Sequence, residues 1–244
     1  MSKINIFEFE VIDRCLFWKI KNTLIAGDLH LGYEQSLNER GISVIRDQLN
    51  QTKEIFERIF TKIGRVERII LLGDIKHQLG GILKQELQDF EELVLFFNKY
   101  LIKDGKIIIT KGNHDNILEP IIKNHPNVVL LDGLSEQGII FLHGDSQSVK
   151  KNYEKIKNEK TKLVVLGHFH PAYLLKDKKS IKEEKYKCFL YGKSSEYGKN
   201  VIFAPSFFPL IEGSDIIKDL EIYEKGMKVV LVADDGKVYN FGKI

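Results

Sequence analysis

RIILLGDIKH, residues 68–77, reads as a strand that runs into a metal-type ligand. Four apolar residues follow Arg68, a short run suited to a strand buried on both faces of a mixed or parallel sheet. At Gly73 the run stops, and the carboxylate of Asp74 comes next. Glycine lets the chain turn sharply there without a Cβ penalty. The same order recurs through the chain. A strand at 23–26 precedes GDLHLG (27–32), one at 106–110 precedes GNHD (112–115), 139–142 precedes HGD (143–145), and 163–166 precedes GHFHP (167–171). Ligands of open α/β sheets gather beyond the carboxyl ends of the strands. Five strand ends can therefore deliver side chains into one cleft.

Between these strands the spacing predicts helices. Ile45, Leu49, Thr52, Phe56, Ile59 and Ile63 recur at three- and four-residue steps, giving a helix over 45–63 that Gly64 ends. Leu83, Leu87, Phe90, Val94, Phe97 and Leu101 form a second stripe over 82–101. Further strands are predicted at 4–9 and 15–20, and toward the C-terminus at 200–203, 218–223, 228–233 and 238–241, with Asp234-Asp235-Gly236 as a hairpin turn. Alternating strands and helices define an α/β fold. No repeat or linker divides the chain, so 1–244 is read as a single domain.

Composition narrows the function classes. Of the 244 residues, 43% are hydrophobic and 29% charged, which describes a chain with a substantial core and a solvated surface. No apolar run is long enough to span a bilayer, and MSKINIFEFEVID reads as a strand, not as a signal peptide. Two cysteines, Cys15 and Cys188, are too few for a disulfide framework, and neither lies in a polar block. A reduced, cytoplasmic compartment is expected. Net charge is only +3, but lysines crowd 149–187, among them Lys150, Lys151, Lys155, Lys178, Lys185 and Lys187. Such a cluster can neutralise a nucleic-acid backbone. Glu154, Glu159, Glu183 and Glu184 dilute it, and a solvated surface explains it as well.

The five blocks hold Asp28, His30, Asp74, Asn113, His114, His143, His168 and His170. Six of the seven histidines of the chain fall inside them, His77 closing GDIKH. Asp28 and His30 lie two residues apart, as do His168 and His170, a spacing from which both members of a pair can reach an ion on an extended loop. A carboxylate can bridge two cations about 3.5–4 Å apart, and Asp74 is the candidate. Nitrogen and oxygen donors without sulfur favour Mn²⁺, with Fe, Zn²⁺ or Ni²⁺ as alternatives. His114 is the candidate to stabilise charge on a substrate or to protonate its leaving oxygen. Asp115 is the candidate to orient His114 by accepting from its other ring nitrogen. Arg46, Lys76 and Lys111 are possible phosphate contacts. Phe207 and Phe208 read as core, with stacking on a base as the lesser alternative.

The ordered series Asp-x-His, Gly-Asp, Gly-Asn-His-Asp, His, Gly-His-x-His over 27–171 resembles the calcineurin-like metallophosphoesterases. Within them the chain is similar to archaeal and bacterial ICC-like phosphoesterases, often encoded beside large DNA helicases or repair ligases. The resemblance implies a sandwich of two mixed β-sheets flanked by helices. It places one metal on Asp28, His30, Asp74 and His170, a second on Asp74, Asn113, His143 and His168, and makes His114 the catalytic histidine. It also implies a nucleic-acid substrate, hence a nuclease, and a helicase or DNA ligase as partner. His77 and Asp145 depart from the usual pattern, and neither departure removes a ligand. Two other readings stand beside the nuclease: a nucleotide phosphodiesterase or phosphomonoesterase for small substrates, and a non-catalytic scaffold that keeps the fold.

Overall fold

The computed structural model describes residues 3–176, 183–218 and 223–244. Its strands form two sheets. The first contains, side by side in chain order, β1 (Asn5–Ile6), β2 (Phe9–Ile12), β3 (Cys15–Trp18), β4 (Thr23–Ala26), β5 (Val66–Leu71), β6 (Leu101–Thr110) and β7 (Val128–Leu131). β1 to β4 pair antiparallel, and β4 to β7 pair parallel. Parallel neighbours need crossovers. These are α1 (Tyr33–Glu39) and α2 (Gln48–Ile63), then α3 (Lys84–Asn98), then α4 (Glu119–Ile122).

The second sheet contains β8 (Leu134–Glu136), β9 (Ile139–Leu142), β10 (Leu163–Leu166), β11 (Pro171–Lys176), β12 (Glu183–Ser194), β13 (Lys199–Phe203), β14 (Ser214–Asp215), β15 (Lys228–Val232) and β16 (Val238–Lys243), with α5 (Ser146–Lys151) and α6 (Tyr153–Lys157) between β9 and β10. β9, β10 and β13 pair parallel, while β12 pairs antiparallel with β11, β13 and β15. Both sheets are mixed, as expected for the α/β sandwich.

Period-two alternation along each strand explains the layers. Ile25, Ile70, Leu72 and Ile108 face Phe141, Val165, Phe189 and Ile202 between the sheets. The intervening residues, Leu24, Leu71, Ile107 and Ile109, face Phe56, Ile59, Phe90, Val94 and Phe97 of α2 and α3. Each such side chain contributes about 1.5–3 kcal/mol when fully buried. The stacking brings the carboxyl ends of β4, β5 and β6 against those of β9 and β10. A Cβ on Gly27 would lie 3.7 Å from the Cα of Gly167.

Several expectations are corrected. α2 starts at Gln48 because the Glu34 carboxylate accepts from the amides of Asp47 and Gln48, so Ile45 lies outside the helix and is 88% exposed. α3 is shorter than 82–101, and Leu101 opens β6. The predicted strand at 218–223 lies mostly outside the described residues. The lysine-rich segment contains strands that its charge concealed. In β12, Lys185 and Lys187 lie on alternate positions, and their ammonium groups donate to the carbonyls of Gly213 and Ile211. Lys151 pairs with Asp132, and Lys176 with Glu183. Lys185 and Lys187 are thus committed to the fold and Lys151 and Lys176 are paired with acids at the surface, while Lys178, Lys179 and Lys182 lie outside the described residues.

Burial and the neighbouring Arg14 pull the Lys187 ammonium down to about 7. An unfolded lysine titrates near 10.4, so between about pH 7 and pH 10 the unfolded chain binds a proton that the folded chain does not. Stability from this group therefore rises with pH across that window. Lys187→Met should flatten that part of the pH–stability curve, measured by denaturant unfolding from pH 6 to pH 10.

Candidate metal centre

The five blocks meet at the joined strand ends. Asp28, His30, Asp74, His168 and His170 all have positive φ, between 47° and 67°. Non-glycine residues stay in that region only where their surroundings over-determine them. Here they do so through cross-bracing. His30 N donates to Asp74 O at 2.9 Å and Asp28 N to Gly73 O at 3.3 Å. His168 N donates to Asp28 Oδ1 at 3.0 Å, and His114 N to Asp74 Oδ1 at 3.0 Å. Buried Gln48 reaches in from α2 and donates to the carbonyls of Leu29 and His30.

Gly73 has φ 84°, and a Cβ there would stand 2.7 Å from Thr110 O and 2.8 Å from His143 Nδ1. Gly73→Ala should therefore destabilise the protein by about 2–5 kcal/mol and weaken cation binding, read from thermal melts with and without Mn²⁺.

Besides an all-imidazole group of His30, His77 and His114, two donor sets that include a carboxylate result. Asp28, His30 and His170 converge in one, and Asp74, His143 and His168 in the other. Asp74 Oδ2 faces both, 3.8 Å from His30 Nε2 and 3.3 Å from His143 Nε2. His170 Nε2 lies 3.3 Å from Asp28 Oδ1. His143 Nε2 is 3.1 Å from Asn113 Oδ1 and 3.0 Å from His168 Nδ1. Its other ring nitrogen, Nδ1, lies 2.8 Å from the carbonyl of Leu72, which fixes the ring.

The electrostatics call for positive charge at this point. Burial pushes the Asp28 and Asp74 carboxyls up, but the surrounding imidazoles outweigh it and hold both below the usual range. Burial works against a charged His143, yet hydrogen bonding to Asp74 and the charge of Asp28 raise it to about 9. A bound cation would displace that proton and leave His143 neutral to ligate. Burial also pulls His30 down to about 3, leaving it neutral and ready to ligate. Nδ1 of His30 and Nε2 of His170 are buried without a hydrogen-bond partner. Two acids, one amide oxygen and four imidazoles fit two divalent cations, with Asp74 between them.

His114 stands beside this cluster, its Nε2 3.9 Å from Asp74 Oδ2. Its orienting partner is not Asp115. Nδ1 of His114 meets the backbone carbonyl of His77, whereas the buried Asp115 carboxylate accepts from Ile75 N at 2.9 Å and Gly112 N at 3.0 Å. Asp115 ties the second block to the third. His77 packs its ring on Tyr33 and His114, and burial, then His114 and Arg40, pull it down to about 4.

Other expectations separate here. Asp145 caps α5 by accepting from the amides of Gln147 and Ser148. Arg46 pairs with buried Asp89, and Lys76 is buried with its ammonium on Gln78 O, so neither is free for phosphate. Phe207 and Phe208 are fully buried, which removes the base-stacking reading: Phe207 stacks on Phe56 at 3.9 Å, and Phe208 packs against His30. Their loop also props the site, since Ser206 Oγ and Phe208 N donate to Asp28 O.

The model of the calcineurin-like phosphoesterase superfamily domain matches residues 22–189, and the chain belongs to that superfamily. Among solved structures, the Pseudomonas putida nuclease MPE is similar with a TM-score of 0.65 at 17% identity, over 98% of this chain and 99% of that one. An archaeal phosphodiesterase is similar at 16% identity and a TM-score of 0.42, over 90% and 98% of the two chains. Zinc-bound Vps29 from Entamoeba histolytica follows at 12% identity and 0.38, over 91% and 97%. At these identities the likeness is one of fold. No curated protein sequence matches the chain.

Proposed function

We propose that this protein is a two-metal phosphodiester hydrolase acting on nucleic acid, a Mn²⁺-dependent nuclease of the ICC-like type. One observation carries the hydrolytic part of the proposal: seven donors from five remote blocks converge into two adjacent sets around Asp74. Divalent cations bound there would supply a hydroxide near neutral pH and neutralise phosphate oxygens. The chain's own share is positioning. Its braced loops hold the donors in place, and His114, its Nδ1 occupied by the His77 carbonyl, presents Nε2 to the cleft to meet phosphate charge or the leaving oxygen.

The substrate class draws on a different observation. A groove of about 600 Å³ lies along β7, lined by Lys111, Lys123, His125 and Lys151 and by the acids Glu119 and Asp132, the last paired with Lys151. A smaller depression shares Lys111 and Lys151 and reaches Gly112 and Asn116, on either side of Asn113. Lys111 and Lys123 line a groove that opens beside the donor sets and is long enough for an extended phosphate backbone. The full-length likeness to a nuclease supports the same class. Buried, unpaired Cys15 and Cys188 suit a cytoplasmic setting, and the ICC-like resemblance is what supports a DNA helicase or ligase as partner.

With Mn²⁺ the protein should cut single-stranded or structured DNA and also hydrolyse bis(p-nitrophenyl) phosphate. A panel of single-stranded, duplex, flapped and RNA substrates tests this. Rapid turnover of a small phosphoester without cleavage of any nucleic acid would contradict it.

A further inference from the structure

We propose that Glu86 is a positioning residue for His114, acting through the peptide bond between His77 and Gln78. The inference rests on the reading of His114 as the histidine that meets the substrate.

Glu86 sits in the first turn of α3 and is 1% exposed. Its Oε1 accepts from His77 N at 2.9 Å and Gln78 N at 2.5 Å, and its Oε2 from Leu83 N at 2.7 Å. Only the last of these is the usual work of a glutamate near a helix start. The other two fix a loop. His77 N also donates to Leu31 O at 3.0 Å, and Lys76 grips the carbonyl of Gln78.

The consequence follows from peptide geometry. A trans peptide is planar, so the carbonyl of His77 points opposite to the N–H of Gln78. Drawing that N–H onto Glu86 aims the carbonyl the other way, at Nδ1 of His114. A carbonyl only accepts, so Nδ1 must carry the proton and Nε2 is left facing Asp74. A negative charge on the N–H side also polarises the peptide and strengthens the carbonyl as an acceptor.

The chain makes room for this carboxylate. Gly32, the last residue of GDLHLG, has φ 81°, and a Cβ there would stand 2.3 Å from Glu86 Cγ. The glycine that closes the first metal block is thus the opening through which Glu86 reaches the second.

The test uses the full chain and the variants Glu86→Ala and Glu86→Gln. In metal-free protein, ¹⁵N imidazole shifts should show His114 as the Nδ1–H tautomer in the wild type and as a mixture in both variants. With Mn²⁺ and bis(p-nitrophenyl) phosphate, Glu86→Ala should lower kcat about 10–100-fold with little change in KM or bound metal. Glu86→Gln, which keeps an acceptor but not the charge, should fall between. In a His114→Ala background Glu86→Ala should cause no further loss. Should the alanine variant fail to fold, the glutamine variant carries both readouts. An unchanged tautomer, or losses that multiply with His114→Ala, would overturn the proposal. Wild-type protein that hydrolyses no phosphodiester would defeat the proposed function, while the tautomer measurement would still decide the role of Glu86.

Discussion

Asp74→Asn is expected to empty both cation positions together. Asp74 Oδ2 is the one atom that faces both donor sets, with His30 on one side and His143 on the other. Asparagine keeps the shape, and its carbonyl still accepts the His114 N–H that Oδ1 holds at 3.0 Å. The fold should therefore survive. What is lost is the negative charge between two positive ions, where a neutral amide would place its N–H₂ at the Oδ2 position that faces both. Metal analysis should show the stoichiometry falling from two toward zero. Hydrolysis of bis(p-nitrophenyl) phosphate should fall at least about 10³-fold, since two-metal stabilisation supplies several kcal/mol. Asp28→Asn is the control: Asp28 belongs to one set only, so the second cation should stay. Equal, partial losses of metal in the two variants would contradict a shared ligand.

His114→Ala should give the opposite split. His114 lies beside the cluster, grouped with His30 and His77 but outside both donor sets that include a carboxylate, 3.9 Å from Asp74. Its backbone amide, which braces Asp74, is retained by alanine. Both ions should bind with near wild-type stoichiometry, whereas kcat should fall about 10²–10⁴-fold, the usual worth of a positioned acid or charge stabiliser. The loss should be smaller for a substrate whose leaving group is already acidic, such as p-nitrophenolate, than for DNA. Lost metal with the loss of rate would make His114 a ligand instead.

Much of this site was legible in the sequence because each block of donors follows an apolar strand, with a glycine opening four of the five blocks. RIILL before Gly73-Asp74 and KIIIT before the GNHD block carry the signal in adjacent residues, and β5 and β6 form as neighbouring parallel strands. What supports the donors was not legible. Gln48 and Glu86 look like ordinary helical polar residues, and only the folded chain brings their side chains to the carbonyls of Leu29 and His30 and to the amides of His77 and Gln78. Asp115 was misread for the same reason. Its neighbour in sequence is His114, but its hydrogen-bond partners are the amides of Ile75 and Gly112. β11 and β12 went unread because lysines that look solvated in sequence are extended along a sheet with their ammonium groups on backbone carbonyls. The stripe through Ile45 failed because a tertiary carboxylate, Glu34, decides where α2 begins.

The account turns on two cations held around one carboxylate. Anomalous diffraction from crystals soaked in Mn²⁺ tests it most directly. It should show two peaks about 3.5–4 Å apart, one among Asp28, His30, Asp74 and His170, the other among Asp74, Asn113, His143 and His168. A single peak, or peaks that do not share Asp74, would contradict it.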